Sequence, residues 1–383
     1  MVPPEEATCT ALAGADGLDI DVGGIYLDHV DRELFFNFSS GGIVGSQTQN
    51  RVVLDWVNSN ISRTGRIEGQ LNLSNTGGLL RLTGGGDGPW SRVNLGLPMS
   101  LPYTDILVLA QAQTDTQQLL AHLGGKGLWR RTSSLAGWIR VGPSAAQPFA
   151  DDLVLTSLAF APAGVERFAV GSQGRGFFVT GDGGQTFRQF GAEIDPAAPA
   201  NPQVTALAWL PGGALGRLFV SIRNVGVFLS QDGGATFTKL VNLVVPGDFS
   251  QPSSPLAPAY VNQIVGDPDD EQTVYFALKD YALYKTTNGG ASWGPATGSW
   301  VTPGGVPYNG RAFARHPANP LVLVVGTEGQ GLWRSTDGGA AWSKVASGRF
   351  PATALPPVTG LAFDPAHPGL LWAAVTTDSL LVS

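Results

Sequence analysis

The segment Gly329-Gln-Gly-Leu-Trp-Arg-Ser-Thr-Asp-Gly-Gly-Ala-Ala-Trp342 contains a phrase that is repeated along the chain. Its core is a Ser or Thr, then an Asp or Asn, two glycines and a closing aromatic residue, and it recurs at 180–187, 230–237 and 286–293. Paired glycines after an Asx residue favour a tight turn, because glycine accepts positive φ and the Asx oxygen binds amides of its own turn. Each copy therefore predicts a turn between two short strands.

Two weaker copies, without the Asp and the paired glycines, run from Leu80 to Trp90 and from Leu128 to Trp138. The closing aromatic residues of all six copies are 48, 49, 50, 56 and 49 residues apart, at Trp90, Trp138, Phe187, Phe237, Trp293 and Trp342. A period near fifty residues with strand-like content is typical of β-propellers and related repeat arrays. The sequence predicts an all-β, seven-bladed β-propeller with four-stranded antiparallel blades.

The two ends of the chain depart from the repeat. Residues 1–50 lack the phrase and are predicted to form N-terminal strands, whereas residues 51–383 form the repeat, within a single domain overall. The last unit has three predicted strands and no phrase after them, which would leave an unpaired strand edge. We expect residues 34–38 to pair beside residues 380–382 and so close the last blade. The alternative is that the chain stops before a further copy.

The four complete copies resemble the Asp-box (BNR) repeat of β-propellers in sialidases, sortilin-type receptors, xyloglucan hydrolases and a photosystem II assembly factor. The resemblance covers roughly residues 60–383. In those families the box lies on outer hairpins away from the active face, which implies a structural role for Asp182, Asp232, Asn288 and Asp337. Xyloglucan hydrolases of this repeat type use two propellers that face each other. The resemblance therefore implies that this sequence would supply one of the two.

Composition excludes several kinds of partner. A formal net charge of −7 and no basic cluster disfavour nucleic acid and anionic membranes. No apolar run is long enough to insert into a bilayer. One cysteine and four scattered histidines predict no metal site, and we expect no cofactor. We predict a secreted, periplasmic or cell-surface protein whose leader is outside this sequence, with the cytoplasm as the alternative.

Candidate binding residues lie on one predicted face. If the strands of each blade are called A to D from the inside, the D–A and B–C connections share a face opposite the repeated turns. Aromatic rings beside polar and charged groups suit a sugar or a peptide, although they would equally anchor loops or form a solvated rim. The candidates on the B–C turns are Arg175, Arg223, Asn224, Lys279 and Glu328, and those on the D–A loops are Phe249, Trp300 and Tyr308.

No complete catalytic motif accompanies these residues. We therefore predict a non-catalytic binding or scaffold propeller that recognises a protein or polysaccharide partner, with membership of a larger assembly as a further option. The alternative is a glycoside hydrolase or lyase, since hydrolysis needs two carboxylates across a cleft. Asp280, Glu328 and Asp378 lie on successive predicted B–C turns and are the candidates for that chemistry.

Overall fold

The structure is a computed structural model. It describes residues 20–27, 34–40, 50–58, 63–71, 78–82, 90–92, 95–97, 106–112, 114–115, 117–133, 135–141, 153–195, 199–240, 244–246, 256–258, 260–267, 269–279, 282–296, 309–345, 357–363, 369, 371–375 and 379–382.

Most of the described strands form six sheets of four antiparallel strands and one sheet of three. The strands of each sheet follow the chain order, A to D in the four-stranded sheets and A to C in the last. The predicted all-β class with four-stranded antiparallel sheets is therefore confirmed. The sheets are, in order, β1 (Ile20–Leu27), β2 (Leu34–Ser40), β5 (Gly78–Leu82) and β6 (Trp90–Arg92); β7 (Ile106–Gln111), β8 (Leu119–Leu123), β9 (Gly127–Arg131) and β10 (Ile139–Arg140); β11 (Leu155–Ala161), β12 (Gly164–Ser172), β13 (Phe177–Thr180) and β14 (Arg188–Phe190); β15 (Val204–Leu210), β16 (Arg217–Ile222), β17 (Gly226–Ser230) and β18 (Thr238–Lys239); β21 (Val261–Gly266), β22 (Val274–Leu278), β23 (Ala282–Thr286) and β24 (Gly294–Pro295); β25 (Gly310–Arg315), β26 (Leu323–Thr327), β27 (Leu332–Ser335) and β28 (Ser343–Lys344); and β29 (Val358–Phe363), β30 (Leu371–Val375) and β31 (Ser379–Val382).

Two hairpins lie outside these sheets. One pairs β3 (Asn50–Asn58) with β4 (Arg63–Leu71), and the other pairs β19 (Val244–Pro246) with β20 (Leu256–Pro258). A single 3-10 turn covers Ala192–Ile194, and the described part of the chain contains no α-helix.

The A strands of successive sheets contact one another. Strand β7 contacts β11, β11 contacts β15, and the series continues through β21 and β25 to β29. Strand β1 contacts both β29 and β7, so the first sheet lies beside the second sheet and beside the last. Strand A is therefore the inner strand of each sheet.

The hydrophobic core lies between the faces of neighbouring sheets. In one cluster Phe177 and Val179 of the third sheet pack with Leu218, Val220 and Phe228 of the fourth, all buried. Similar clusters join the second sheet to the third, the fourth to the fifth, the fifth to the sixth and the sixth to the seventh. Because strands covered on both faces need apolar residues on both faces, B strands such as Val274–Leu278 are buried and apolar without alternation.

The repeated turns adopt the hydrogen bonding that their sequence predicts. The Oδ1 atom of Asp232 accepts bonds from the backbone N of Ala235 (3.0 Å) and Thr236 (2.9 Å), and from the Ser230 hydroxyl (2.7 Å). Both glycines have positive φ, 75° at Gly233 and 86° at Gly234. Desolvation raises the pKa of Asp232, but the bonds from Thr236, Ser230 and Ala235 outweigh it and lower that pKa to about 2. Asp182 accepts the same three bonds, and the backbone N–H four residues further on also donates to Oδ1 of Asn288 and of Asp337.

The closing aromatic residues pack against the preceding sheet. Phe237 makes edge-to-face contacts with Phe177 and Phe190, each with ring centroids 4.9 Å apart. Trp342 is buried, and its Nε1 donates to the carbonyl oxygen of Ala296 at 2.9 Å. The turn therefore fixes an aromatic side chain that joins two sheets.

Two predictions about the N-terminal part of the chain are wrong. Residues 34–38 do not pair beside residues 380–382, since β2 pairs with β1 and β5 instead. The repeat also does not begin at Arg51: β3 and β4 pair with each other along their whole length, and the first sheet takes its A and B strands from before residue 50. β1–β2 and β3–β4 are hairpins with short connections, and closing a short loop costs little entropy. β2 then pairs with β5 across the inserted β3–β4 hairpin.

Close packing between sheets predicts that Gly326 does not tolerate a side chain. A Cβ atom there would lie 2.4 Å from Cγ1 and 2.6 Å from Cβ of Val358, the first residue of the next A strand. We expect Gly326→Ala to lower the free energy of unfolding by about 1–3 kcal/mol, as overpacking does. Gly164→Ala is the matched control, because a Cβ at Gly164 has nothing within 4 Å. Equal denaturant midpoints for the two variants would contradict this packing argument.

Candidate functional site

One hydrogen bond is repeated where the D–A loop enters each sheet. The first residue after strand B donates its backbone N–H to the residue before strand A, from Arg223 to Gln203 (2.9 Å), from Lys279 to Tyr260 (2.9 Å) and from Glu328 to Asn309 (3.3 Å). Gln173 makes the same bond to Val154. These bonds place the B–C turns beside the entry to strand A, on the predicted binding face.

A β-bulge follows immediately in strand A. In six sheets the pairing of strands A and B skips the second residue of strand A. A bulge leaves one residue out of the ladder and redirects its side chain, and bulges are frequent next to functional sites. In the second sheet the skipped residue is Leu107. The other five skipped residues are polar, although strand A is otherwise mostly apolar, and they are Thr156, Thr205, Asn262, Arg311 and Thr359.

Four polar side chains of the fifth and sixth sheets form one hydrogen-bonded chain. Asn262 donates to Oδ1 of Asn309 at 3.2 Å, and Asn309 Nδ2 donates in turn to Oε2 of Glu328. Arg311 Nη1 approaches Oε1 of Glu328 at 3.4 Å. Glu328 and Arg311 are 48% and 41% exposed, so the carboxylate is oriented through both oxygens while it stays open to solvent.

A second group of polar residues lies in the neighbouring fourth and fifth sheets. The guanidinium carbon of Arg223 is 5.7 Å from the centroid of the Tyr260 ring, and Nζ of Lys279 is 5.8 Å from the same centroid. Arg223 Nη1 also donates to Oε1 of Gln203 at 3.1 Å. The tyrosine is half-buried, and both cations lie near its ring.

The structure brings together only part of the predicted site. Arg223 and Lys279 meet at Tyr260, whereas Glu328 belongs to the other group. Arg175 and Asn224 are exposed on their own B–C turns, and Asn224 has a positive φ of 60°, as a turn residue does. The remaining predicted residues lie outside the described part of the chain, and these are Phe249, Trp300, Tyr308, Asp280 and Asp378.

The sequence analysis did not identify five of these residues, namely Asn262, Asn309, Arg311, Gln203 and Tyr260. A signal for them exists in the sequence, because each stands one position before strand A or at its second residue. This position in the chain becomes informative only when the bulge is known, because the bulge redirects the side chain of the second residue of strand A.

Among the described residues, no three His, Cys, Asp or Glu side chains are grouped so that they could hold a metal ion. The same residues include no helix of the length and apolar character that crossing a membrane requires.

The comparisons with known proteins point to glycoside hydrolases in sequence and to β-propellers in structure. No family model matches the chain. A xyloglucanase of Hypocrea jecorina is 33% identical over 132 residues, a match that covers 31% of this chain and 16% of that enzyme. The GH74 xyloglucanase of Xanthomonas campestris superposes with a TM-score of 0.64 at 16% identity, over 98% of this chain and 53% of its own. YCF48 of Cyanidioschyzon merolae superposes with a TM-score of 0.58 at 11% identity, over 99% of this chain and 98% of its own.

These matches support the β-propeller class and correct the predicted function. The sequence predicted a non-catalytic binding or scaffold module, but the relatives that match in sequence are xyloglucanases. That prediction is therefore contradicted, and the glycoside hydrolase alternative is the better supported one. The solved structures, at 16% and 11% identity, show the shared fold alone.

Proposed function

We propose that this chain is a propeller of a glycoside hydrolase that acts on a xyloglucan-type polysaccharide. The sequence match to xyloglucanases carries the proposal, because it is the observation that names a chemistry as well as a fold. The chain covers about half of the superposed GH74 enzyme, which is compatible with a contribution of one propeller to a larger active site.

Glu328 is the carboxylate that we place in this chemistry. Hydrolysis needs one carboxylic acid to protonate the glycosidic oxygen and one carboxylate to act as a base or nucleophile, with the two groups about 5 Å or about 6.5–9.5 Å apart. Glu328 is oriented by Asn309 and Arg311 and remains accessible. We propose that its partner is Asp280, Asp378 or a carboxylate of a second propeller.

Substrate binding is assigned to the same face. We propose that Arg223, Lys279 and Tyr260, with the Asn262 and Asn309 amides, contact the sugar chain, and that Arg175, Asn224, Phe249, Trp300 and Tyr308 extend this surface. Amide, guanidinium and phenol groups match the hydroxyls of a sugar, and aromatic rings match its apolar faces.

We further propose that the seven sheets are the blades of one closed ring and that the repeated turns are Asp-boxes. The contact of β1 with both β29 and β7 supports closure through sheet packing, without exchange of a strand. A secreted, periplasmic or cell-surface location remains a prediction.

The test is an assay for new reducing ends. We expect the natural full-length protein to release them from xyloglucan and to leave amylose, an α-linked glucan, intact. Size-exclusion chromatography of the products would separate cleavage within the polymer from cleavage at its ends. A protein that is folded by circular dichroism and produces no reducing ends from xyloglucan would overturn the proposal.

A further inference from the structure

Arg223, Tyr260 and Lys279 form a cationic cluster in which two cations from neighbouring sheets approach one tyrosine ring. Arg130, Lys239, Arg311 and Arg315 each form an ion pair with a carboxylate. Among the described residues neither Arg223 nor Lys279 has such a partner, and both approach the same tyrosine ring from neighbouring sheets. The cluster therefore carries two positive charges that have no carboxylate partner among the described residues, on a protein whose formal net charge is −7.

Hydrogen bonds within the protein fix the Arg223 side chain and the backbone of Lys279. Gln203 accepts a hydrogen bond from the Arg223 side chain at 3.1 Å, and its carbonyl accepts the Arg223 backbone N–H at 2.9 Å. The backbone N–H of Lys279 is bonded to the carbonyl of Tyr260. An anionic group bound beside the Tyr260 ring would be attracted by both cations and would accept charge-assisted hydrogen bonds from them.

The position of the cluster suggests what the anion is part of. Asn262 follows Tyr260 by two residues and is linked through Asn309 to Glu328, so the cluster continues the polar surface around that carboxylate. A polysaccharide bound at Glu328 would extend across the neighbouring sheet. Tyr260 adds an aromatic surface of the kind that packs on sugars.

We propose that Arg223, Tyr260 and Lys279 form a subsite for a sugar residue that carries an anionic group, either a carboxylate or a sulfate. This inference rests on the proposed function and narrows its substrate class to acidic β-glucans. A neutral xyloglucan would contact the surface near Glu328 but would not neutralise the charges of Arg223 and Lys279.

The test uses one polymer in three forms. Xyloglucan, xyloglucan with its primary hydroxyls oxidised to carboxylates, and sulfated xyloglucan are titrated by isothermal calorimetry at low and high salt. We expect at least one anionic form to bind about ten-fold more tightly than the neutral form at low salt, with the difference shrinking at high salt. The stronger of the two anionic forms identifies the group. Lys279→Met and Arg223→Gln are expected to reduce the affinity for that form to the level of the neutral polymer.

Lys285→Met is the matched control. Lys285 belongs to the same sheet and lies 5.2 Å from the ring of Tyr275, so the variant removes the same charge from an equivalent lysine–tyrosine pair near the repeated-turn end. We expect it to retain the preference for the anionic form. Equal affinities of the unmodified protein for all three polymers, or an equal loss in Lys285→Met and Lys279→Met, would overturn the subsite alone. If none of the three polymers binds, both the subsite and the proposed function are wrong.

Discussion

Replacing Glu328 by glutamine is expected to slow the release of reducing ends from xyloglucan at least about 100-fold, the contribution typical of a general acid or base. Glutamine keeps the size of the side chain and can still accept the bond from Asn309, but it cannot act as a base, a nucleophile or an acid. The rate per enzyme is measured at saturating polymer. Polymer affinity, measured separately, should change much less than the rate.

Glu193→Gln is the control for this substitution. Glu193 is exposed in the D–A connection of the third sheet, where its carboxylate accepts the N–H of Gly191 at 2.9 Å, and glutamine can accept the same bond. We expect a change of less than about two-fold, because the side chain lies outside the proposed reaction. A Glu328→Gln enzyme that retains the parent rate would exclude Glu328 as a reacting group. Asp280→Asn and Asp378→Asn would then be the variants to compare, since a hydrolase needs two such carboxyl groups.

Acidification from pH 7 to pH 4 is expected to remove about 3 kcal/mol from the free energy of unfolding through His122 alone. This histidine on β8 is 1% exposed, and burial lowers its pKa to about 4. Its Nε2 accepts the backbone N–H of Leu155 at 3.3 Å, a bond that protonation of Nε2 would break. An unfolded histidine has a pKa near 6.5, so between about pH 6.5 and 4 the unfolded chain binds a proton that the folded chain does not. Stability therefore falls as the pH falls through that window.

His122→Ala is the variant that isolates this effect. His122 pairs with the residue that follows the bulge in strand A. Ala277 in the fifth sheet and Ala374 in the seventh pair at the equivalent position, so alanine is compatible with the strand. We expect the variant to be less stable at pH 7 because it leaves a cavity, yet to lose less stability between pH 6.5 and 4. Urea titrations at half-unit pH intervals provide the comparison. Parallel curves for parent and variant would show that His122 is not the group responsible.

The repeated turns were predictable from sequence because each is decided within eight residues. The phrase around Asp232 contains its own hydrogen-bond acceptor and its own positive-φ glycines, so no distant residue is needed to form it. The period of the closing aromatic residues then indicates sheets that pack on one another, as Phe237 does on Phe177. Local chemistry and spacing together were enough for the fold class.

The first sheet was not predictable in the same way. It combines Ile20–Leu27 with Gly78–Leu82 and is interrupted by a hairpin whose two strands look, in sequence, like the A and B strands of a repeat. Which of two similar strand pairs enters the sheet depends on packing against distant neighbours, and β1 contacts the last sheet of the chain. Alternating apolar residues carry no information about that choice.

The candidate site was also only partly predictable. Arg223 and Lys279 were identified from their B–C turns, but their meeting at Tyr260 depends on the packing of two sheets. The orientation of Glu328 depends on Asn309 and Arg311, whose side chains are directed by a strand entry and a bulge. No short motif records such an arrangement, and so the sequence alone favoured a binding module over an enzyme.

The bulge in strand A has a consequence for how such a protein diversifies. In the five sheets whose skipped residue is polar, that side chain stands outside the regular cross-strand pairing, and its contacts differ from sheet to sheet: Thr205 donates to Ser221, whereas Arg311 approaches Glu328. A library that varies these positions together should therefore yield altered ligand preferences while most members keep their melting temperature. Natural evolution can use the same freedom, with one adjustable position for each repeat, at Thr156, Thr205, Asn262, Arg311 and Thr359.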